Sequence, residues 1–172
     1  DAYLCNGSVT RDAVADLVDP TPAAVAPPGA DRLAEGSVPS APPRDPDAPL
    51  RLCTVGTVLP RKGHATLLDG LAAVDAPWRL DVVGAEPDPG YAAALRARAA
   101  ALDVADRVRF HGRVSDAALR DRLVVADAFA MPSTYEGYGI ASVEAMWFGC
   151  PVVASAAGGA RAFVDGANGV LV

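Results

Sequence analysis

The sequence predicts an α/β fold of the Rossmann-like, doubly wound type, with a parallel sheet covered by helices on both faces. The apolar segments after Leu50 are short and do not alternate with polar residues, which is typical of strands buried on both faces. Segments with helical character separate them, as in consecutive βαβ units. The chain has 172 residues, 51% of them hydrophobic, which is enough for one sizeable core.

The elements after Leu50 follow a regular order. We predict strands at 51–56, 79–84, 108–111, 128–131 and 151–154. Helices are predicted at 63–74, 91–102, 116–125 and 140–148, with a helical turn at 160–164. Sheets of this kind bind ligands at the carboxyl ends of their strands, so we expect the functional residues in the loops that follow these strands.

The first 50 residues have a different character. A strand end at 3–5 precedes a helix capped near Ser8 that runs to about Val18, and a short apolar run covers 23–26. Nine of the 15 prolines lie between Pro20 and Pro49, and proline lacks the backbone donor that helices and sheets need. We therefore divide the chain into a leading segment 1–31, a Pro-rich linker 32–50 and a ligand-binding domain 51–172.

Charge and cysteine content disfavour several classes of function. The net charge of −6 and the pI of about 4.8 make nucleic acid and anionic membrane surfaces poor partners. No run of about 18 apolar residues is present, so we expect no transmembrane segment. Cys5, Cys53 and Cys150 are scattered in apolar stretches, which indicates buried thiols in a reducing cytoplasm. No cluster has metal-ligand spacing, so we expect neither a metal nor a cofactor.

The loop after the first strand of the domain carries the single lysine. Arg61 and Lys62 stand at the predicted start of a helix, where the helix dipole disfavours each cation by roughly 0.3–1 kcal/mol. A bound diphosphate would remove this conflict, because amides, dipole and cations would all favour it. The alternative is that both side chains extend into solvent. Neither a P-loop nor a Gly-x-Gly-x-x-Gly dinucleotide motif is present.

Two of the four glutamates lie eight residues apart after the strand at 128–131. Glu136 is predicted on the loop and Glu144 in the second turn of the following helix. A carboxylate on such an apolar helix is costly unless it is hydrogen-bonded, and paired ribose hydroxyls would suit it. Gly137 and Gly139 would let backbone amides approach a ligand. The alternative is that Glu144 pairs with a buried arginine and Glu136 is a solvated loop residue.

Several short motifs together resemble the donor domain of glycosyltransferase family 4, which has the GT-B fold. They are Pro60-Arg61-Lys62-Gly63, Val82-Val83-Gly84, Val108-Arg109-Phe110-His111-Gly112-Arg113-Val114, Glu136-Gly137-Tyr138-Gly139, Glu144-Ala145-Met146, Gly149-Cys150-Pro151 and Gly158-Gly159. The Glu-x7-Glu element with its glycines is the most specific of them. The resemblance implies that 51–172 is one half of a GT-B fold. It also implies that 1–31 is the tail of the acceptor domain with its crossover, Pro28 to Asp31.

The resemblance implies a role for each site residue. Glu136, Arg61 and Lys62 would be catalytic: the two cations would hold the donor diphosphate and Glu136 would contact the donor sugar. Glu144 would bind the ribose hydroxyls. The amides of Gly139 and Ile140 would contact sugar or phosphate, and the backbone around Arg113 and Val114 would meet the base. The full predicted donor site comprises Thr57, Arg61, Lys62, Gly84, Arg113, Val114, Glu136, Gly137, Tyr138, Gly139, Ile140 and Glu144.

The implied activity is hexosyl transfer from a nucleoside-diphosphate sugar with retention of anomeric configuration. The family often has arginine where Thr57 stands, and a glutamate near Ala160 to Ala162. Because the chain starts at Asp1 and ends at Val172, we expect a fragment cut at both ends, inactive without the domain that binds the acceptor. The alternatives are an epimerase or phosphorylase of the same fold, or a non-catalytic nucleotide-binding domain.

Overall fold

The chain forms two parallel sheets of unequal size. The computed structural model describes residues 2–17, 22–29, 31–33 and 43–172. The leading segment contains a small sheet and one helix: β1 (Tyr3–Cys5), α1 (Ser8–Ala15) and β2 (Ala23–Val25). The remaining elements are β3 (Leu50–Val55), α2 (His64–Ala72), β4 (Trp78–Val83), α3 (Pro89–Ala101), β5 (Val108–Gly112), α4 (Asp116–Val125), β6 (Ala128–Met131), α5 (Ile140–Trp147), β7 (Val152–Ala154) and β8 (Gly169–Leu171).

The predicted α/β fold with its parallel sheet is confirmed. The six strands of the main sheet have the order β5-β4-β3-β6-β7-β8, and every neighbouring pair is parallel. The chain winds outward from β3 to one edge and then from β6 to the other, so the order reverses between these two central strands. A reversal of this kind leaves a crevice beyond the carboxyl ends of the two strands, where open α/β sheets bind ligands.

Helices cover both faces of the main sheet. Side chains of a strand alternate between faces, and β4 accordingly contributes Leu80 and Val82 to one core and Val83 to the other. The first core includes Leu68 of α2 and Leu95 of α3, both 1% exposed. The second core lies under α4 and α5. This two-sided burial explains why the strand sequences are continuously apolar.

Element boundaries after residue 50 agree with the prediction to within two residues. One strand was not predicted: β8 pairs with β7 through Val152↔Gly169 and the two following positions. Arg61 and Lys62 lie directly ahead of α2, in a 3₁₀ turn at Pro60–Lys62 that was not predicted, and Gly63, with φ 72°, separates this turn from the helix. The left-handed conformation of Gly63 interrupts the helical path, so the two cations lie ahead of the helix.

The leading segment packs against the main domain. Ser8 is the first residue of α1 rather than its cap, and the helix ends at Ala15, short of the predicted end. Val18 and residues 34–42 of the predicted linker lie outside the described residues. Leu33 is 3% exposed in the second core, so this position at the start of the predicted linker is an anchored part of the fold. Among the helices that the structure describes, none combines the length and apolar content needed to cross a bilayer.

Candidate functional site

Two adjoining clefts lie at the carboxyl edge of the main sheet. The larger has a volume of about 480 Å³ and extends from β3 and β6 to the start of α5. The smaller, of about 430 Å³, lies beyond the ends of β4 and β5. Arg32, Val55, Gly56 and Thr57 line both clefts, so together they form one elongated groove. The larger cleft occupies the crevice where the strand order reverses.

Ten of the twelve predicted donor-site residues line this groove. The larger cleft contains Arg61, Lys62, Glu136, Gly139, Ile140 and Glu144, the smaller contains Gly84, Arg113 and Val114, and Thr57 belongs to both. Gly137 and Tyr138 line neither. A Cβ on Gly137 would meet Thr10 Oγ1 at 3.0 Å, and Tyr138 packs on Phe163 with ring centroids 5.4 Å apart. These two residues therefore contact α1 and the turn after β7 instead.

The single lysine and the first glutamate form an ion pair inside the larger cleft. Lys62 Nζ donates to Glu136 Oε1, and the two side chains are only 13% and 20% exposed. The hydroxyl of Ser133 donates to the same oxygen at 2.8 Å. The predicted alternatives fail for Lys62, which does not extend into solvent, and for Glu136, which is mostly buried, whereas Arg61 is exposed as its alternative expected. The counter-charge that the sequence lacked near Lys62 is supplied by a loop 74 residues away.

The positions of these two side chains depend on close backbone contacts. The Nζ end of Lys62 passes over Gly56, where a Cβ would lie 3.4 Å from Lys62 Cε. The amide of Thr134 donates to the carbonyl of Arg61 at 2.8 Å, which ties the loop after β6 to the loop after β3. A Cβ on Gly63 would lie 2.0 Å from the carbonyl oxygen of Pro132. Only glycine therefore permits the two loops to approach this closely.

The backbone of Glu136 is hydrogen-bonded to the Gly-Gly pair that follows β7. Gly158 forms a parallel bridge with Glu136, and the amide of Gly159 donates to the carbonyl of Glu136 at 2.8 Å. A Cβ on Gly158 would meet the carbonyl oxygen of Glu136 at 2.6 Å. These contacts fix the backbone of Glu136 and hold its carboxylate at the cleft.

The second glutamate is almost fully buried at the wall of the larger cleft. The side chain of Glu144 on α5 is 5% exposed, and its Oε1 accepts from Arg32 Nε at 2.9 Å. Arg32 also donates through Nη1 to Asp116 of α4 at 2.5 Å. The alternative prediction of an arginine partner is therefore correct in part. Arg32 itself is 51% exposed, and Glu144 still lines the cleft.

The start of α5 faces the larger cleft with its backbone. Gly139 precedes the helix with φ 95°, in the left-handed conformation, and no side chain caps the first turn. The first amides of a helix have no partner within it, and the helix dipole adds partial positive charge there. Ile140, Ala141 and Ser142 all line the cleft. This end of the site can therefore bind an anionic or hydroxyl-rich group beside Lys62.

Sequence reasoning missed three residues of the site. Arg32 and Asp116 flank Glu144, and Ser133 binds Glu136. Ser133 lies on the loop between β6 and Glu136, and its burial to 2% exposure was not foreseen. The only sequence signal for Arg32 was that Glu144 has no other charge nearby on its helix and needs a cation from elsewhere.

The described residues offer few other reactive groups. All three cysteines are buried and unpaired, and burial raises the pKa values of Cys53 and Cys150 to about 12. These two thiols are therefore protonated at neutral pH and do not act as nucleophiles. Within the part of the chain that the structure describes, no group of three or more His, Cys, Asp or Glu side chains could hold a metal ion.

The amino-acid sequence matches a known protein family over most of its length. A family model described as "Glycosyl transferases group 1" matches residues 49–172. The chain belongs to this family. Curated relatives include the D-inositol 3-phosphate glycosyltransferase of Streptomyces griseus, which is 33% identical across 100% of this chain and 43% of its own length. The enzyme of the same name from Xylanimonas cellulosilytica is 41% identical over 73% of this chain and 30% of its own.

Solved structures agree with the family assignment. The Anabaena protein Alr3699/HepE, in complex with UDP and glucose, is 25% identical with a TM-score of 0.84, covering 98% of this chain and 48% of that one. The sucrose-phosphate synthase of Thermosynechococcus elongatus is 26% identical with a TM-score of 0.79, covering 100% of this chain and 45% of that one. The predicted fold, one half of a GT-B enzyme, is confirmed. The chain spans less than half the length of the relatives named here.

Proposed function

We propose that this chain binds the donor in glycosyl transfer from a nucleoside-diphosphate sugar, and that the reaction retains the anomeric configuration. The observation that carries the proposal is the larger cleft, where Lys62, Glu136 and Glu144 meet the amino-terminal end of α5. A diphosphate sugar needs a cation for its phosphates and acceptors for its hydroxyls. The larger cleft offers both the cation and the acceptors at the carboxyl edge of the sheet. The related protein Alr3699/HepE, which was solved with UDP and glucose, supports the same class of ligand.

The diphosphate binds between the cations and the helix. Lys62 and Arg61 supply positive charge from one side, and the free amides at the start of α5 supply donors from the other. When the donor binds, the ion pair between Lys62 and Glu136 separates. Lys62 then contacts the phosphate and Glu136 contacts the sugar hydroxyls. Charge-assisted hydrogen bonds of this kind are worth about twice as much as neutral ones.

The nucleoside lies along the rest of the groove. Glu144 accepts hydrogen bonds from the ribose hydroxyls, because a carboxylate can serve two donors. The smaller cleft, lined by Gly84, Arg113 and Val114, receives the base. The groove therefore orders the donor as sugar, diphosphate, ribose and base from the start of α5 towards the end of β5.

The proposed chemistry exchanges one bond at the anomeric carbon for another on the same face. The bond to the phosphate oxygen breaks, the acceptor oxygen forms a new bond, and the acceptor proton passes to the departing phosphate oxygen. Lys62 and Arg61 stabilise the negative charge that develops on the diphosphate, a contribution that is often the largest in catalysis. No enzyme nucleophile is required, and neither metal nor cofactor enters the proposal.

The acceptor and the cellular setting complete the proposal. We propose that the acceptor is bound by a further domain, which would correspond to the part of the longer relatives that this chain does not cover. The three buried, unpaired cysteines are consistent with a cytoplasmic location. None of the relatives named above is an epimerase or a phosphorylase, so we do not favour those alternatives.

Thermal unfolding with UDP, GDP and ADP tests the donor site. A nucleotide at about 100 times its Kd adds about 2.7 kcal/mol to stability, a Tm increase on the order of 5–10 °C for a chain of this size. Lys62→Met should abolish the increase. The matched control is Arg109→Met, which removes an equal charge from an exposed position on β5 outside the groove.

Two results would count against the proposal. If none of the three nucleotides raises the Tm at millimolar concentration, the groove is not a nucleotide site. If Lys62→Met keeps the full increase, the diphosphate does not bind at Lys62. Retention is tested separately on this chain joined to the proposed acceptor-binding domain, by NMR of the anomeric proton in the first product formed from an α-linked donor.

A further inference from the structure

Arg32 joins the leading segment to the groove by contacts with two carboxylates on different helices. Its Nε donates to Glu144 Oε1 on α5 at 2.9 Å, and its Nη1 donates to Asp116 Oδ1 on α4 at 2.5 Å. Arg32 lines both clefts, at the boundary between the proposed diphosphate and base regions. No role for this residue follows from the family motifs described above.

The burial of the two carboxylates differs sharply. The side chain of Glu144 is 5% exposed, whereas that of Asp116 is 62% exposed. A buried carboxylate without a partner is strongly unfavourable, and Glu144 is the only charged residue between 137 and 153. The arginine is therefore needed by Glu144, while Asp116 serves as an outer support for the guanidinium.

We propose that Arg32 is a positioning residue that holds the Glu144 carboxylate in the orientation that accepts the ribose hydroxyls of the donor. This inference rests on the proposed function. A carboxylate has about four lone-pair positions, and the contact from Arg32 Nε uses one of them on Oε1. The pair is thus compatible with two further hydrogen bonds from a bound ribose.

The backbone next to Arg32 is anchored in the core. Leu33, the next residue, is 3% exposed in the second core. Asp116 lies in the first turn of α4, where the helix dipole favours an acidic side chain. The guanidinium is held from both sides, so the carboxylate does not have to be ordered when the nucleoside arrives. Such preorganisation increases affinity because less conformational freedom is lost on binding.

The expected signature is a loss of discrimination between ribose and deoxyribose. Calorimetry on the 172-residue chain would use UDP, GDP and ADP with their 2′-deoxy counterparts as probes. Wild type should prefer the ribonucleotide by about tenfold, equivalent to about 1.4 kcal/mol. Arg32→Gln should weaken ribonucleotide binding about tenfold, leave the deoxynucleotide within about twofold, and bring the preference close to one.

Further variants separate positioning from stability. Glu144→Gln should have the same signature, and the double variant Arg32→Gln/Glu144→Gln should be no weaker than either single change. Asp116→Asn, which removes only the outer support, should retain part of the preference and keeps the test valid if Arg32→Gln fails to fold. The matched control is Arg98→Gln: Arg98 is 47% exposed and paired with Asp69, away from the groove, and its loss should leave the preference unchanged.

Each remaining result overturns the inference. If Arg32→Gln weakens both nucleotides equally, or keeps the full preference, Arg32 does not position Glu144 for ribose. If wild type binds nucleotides without preferring ribose over deoxyribose, Glu144 does not contact the 2′-hydroxyl, and Arg32 does not position Glu144 for that contact. If wild type binds no nucleotide at all, the proposed function fails, and the inference fails with it. The thermal screen above identifies this last case before any variant is made.

Discussion

Lowering the pH from 7.5 to 5 should destabilise this protein by about 2 kcal/mol through His64 alone. His64 is the first residue of α2 and is 3% exposed, and neither ring nitrogen forms a hydrogen bond of good geometry with any residue that the structure describes. Burial, reinforced by the charge of Lys62, lowers the pKa of His64 from 6.5 to about 4. The folded protein therefore resists protonation of a ring that the unfolded chain protonates readily.

The magnitude and the sign follow from this difference in pKa. Between pH 6.5 and 4 the unfolded state binds the proton and the folded state does not, so stability falls as the pH falls through this window. A pH of 5 lies about 1.5 units below the pKa of the histidine ring in the unfolded chain. At 1.36 kcal/mol per unit this corresponds to a loss of about 2 kcal/mol in the free energy of unfolding. Well below pH 4 the loss reaches its limit of about 3.4 kcal/mol, from the full pKa difference of about 2.5 units.

Urea unfolding at pH 7.5 and pH 5 measures the effect. His64→Asn removes the titrating ring, so its free energy of unfolding should change much less than that of wild type over this interval. The control His111→Gln removes the other histidine and should keep the loss assigned to His64. Equal losses in wild type and His64→Asn would refute the reasoning. So would an NMR titration that gives His64 in the folded protein a pKa above 6.

Two further predictions concern residues that shape the groove. Gly63→Ala should destabilise the protein by more than about 1 kcal/mol and weaken nucleotide binding, because φ is 72° and the new Cβ would lie 2.0 Å from the Pro132 carbonyl oxygen. Urea unfolding measures the first effect and calorimetry the second. Unchanged values would contradict the described loop contact. Leu33→Ala should cost about 3 kcal/mol, as for other buried leucines, whereas Leu17→Ala, at a position 83% exposed, should cost less than about 0.5 kcal/mol. Equal losses would mean that the start of the predicted linker is not anchored in the core.

The sequence determined the fold class and pointed to the loops that form the candidate site. Strand and helix periodicities are local, so apolar runs separated by helical segments suffice to predict a parallel α/β sheet. The rule that ligands bind beyond the carboxyl ends of such strands then located the loops. Lys62 and Glu136 were found in this way, as rare residue types on the expected loops, and Glu144 was found as the charged residue of the apolar helix that follows; all three line the larger cleft.

Local signals also had definite limits. β8 was not predicted, because a three-residue strand that begins with glycine has almost no periodicity of its own and exists through its pairing with β7. The 3₁₀ turn at Pro60–Lys62 was not predicted either, because it lies beside Gly63, which packs so closely on another loop that a Cβ would lie 2.0 Å from the Pro132 carbonyl oxygen. In both cases the deciding contact joins segments that are distant in the chain.

Only the tertiary structure decided which charges pair. Lys62 and Glu136 are 74 residues apart, and Arg32 and Glu144 are 112 residues apart. The sequence was enough to predict that a buried carboxylate on an apolar helix needs a partner. The free-energy cost of burying an unpaired carboxylate depends on the residue and its apolar neighbours, which are visible in the sequence. The sequence could not name the partner, because many arginines are available and the choice depends on which of them the folded backbone brings within hydrogen-bonding distance.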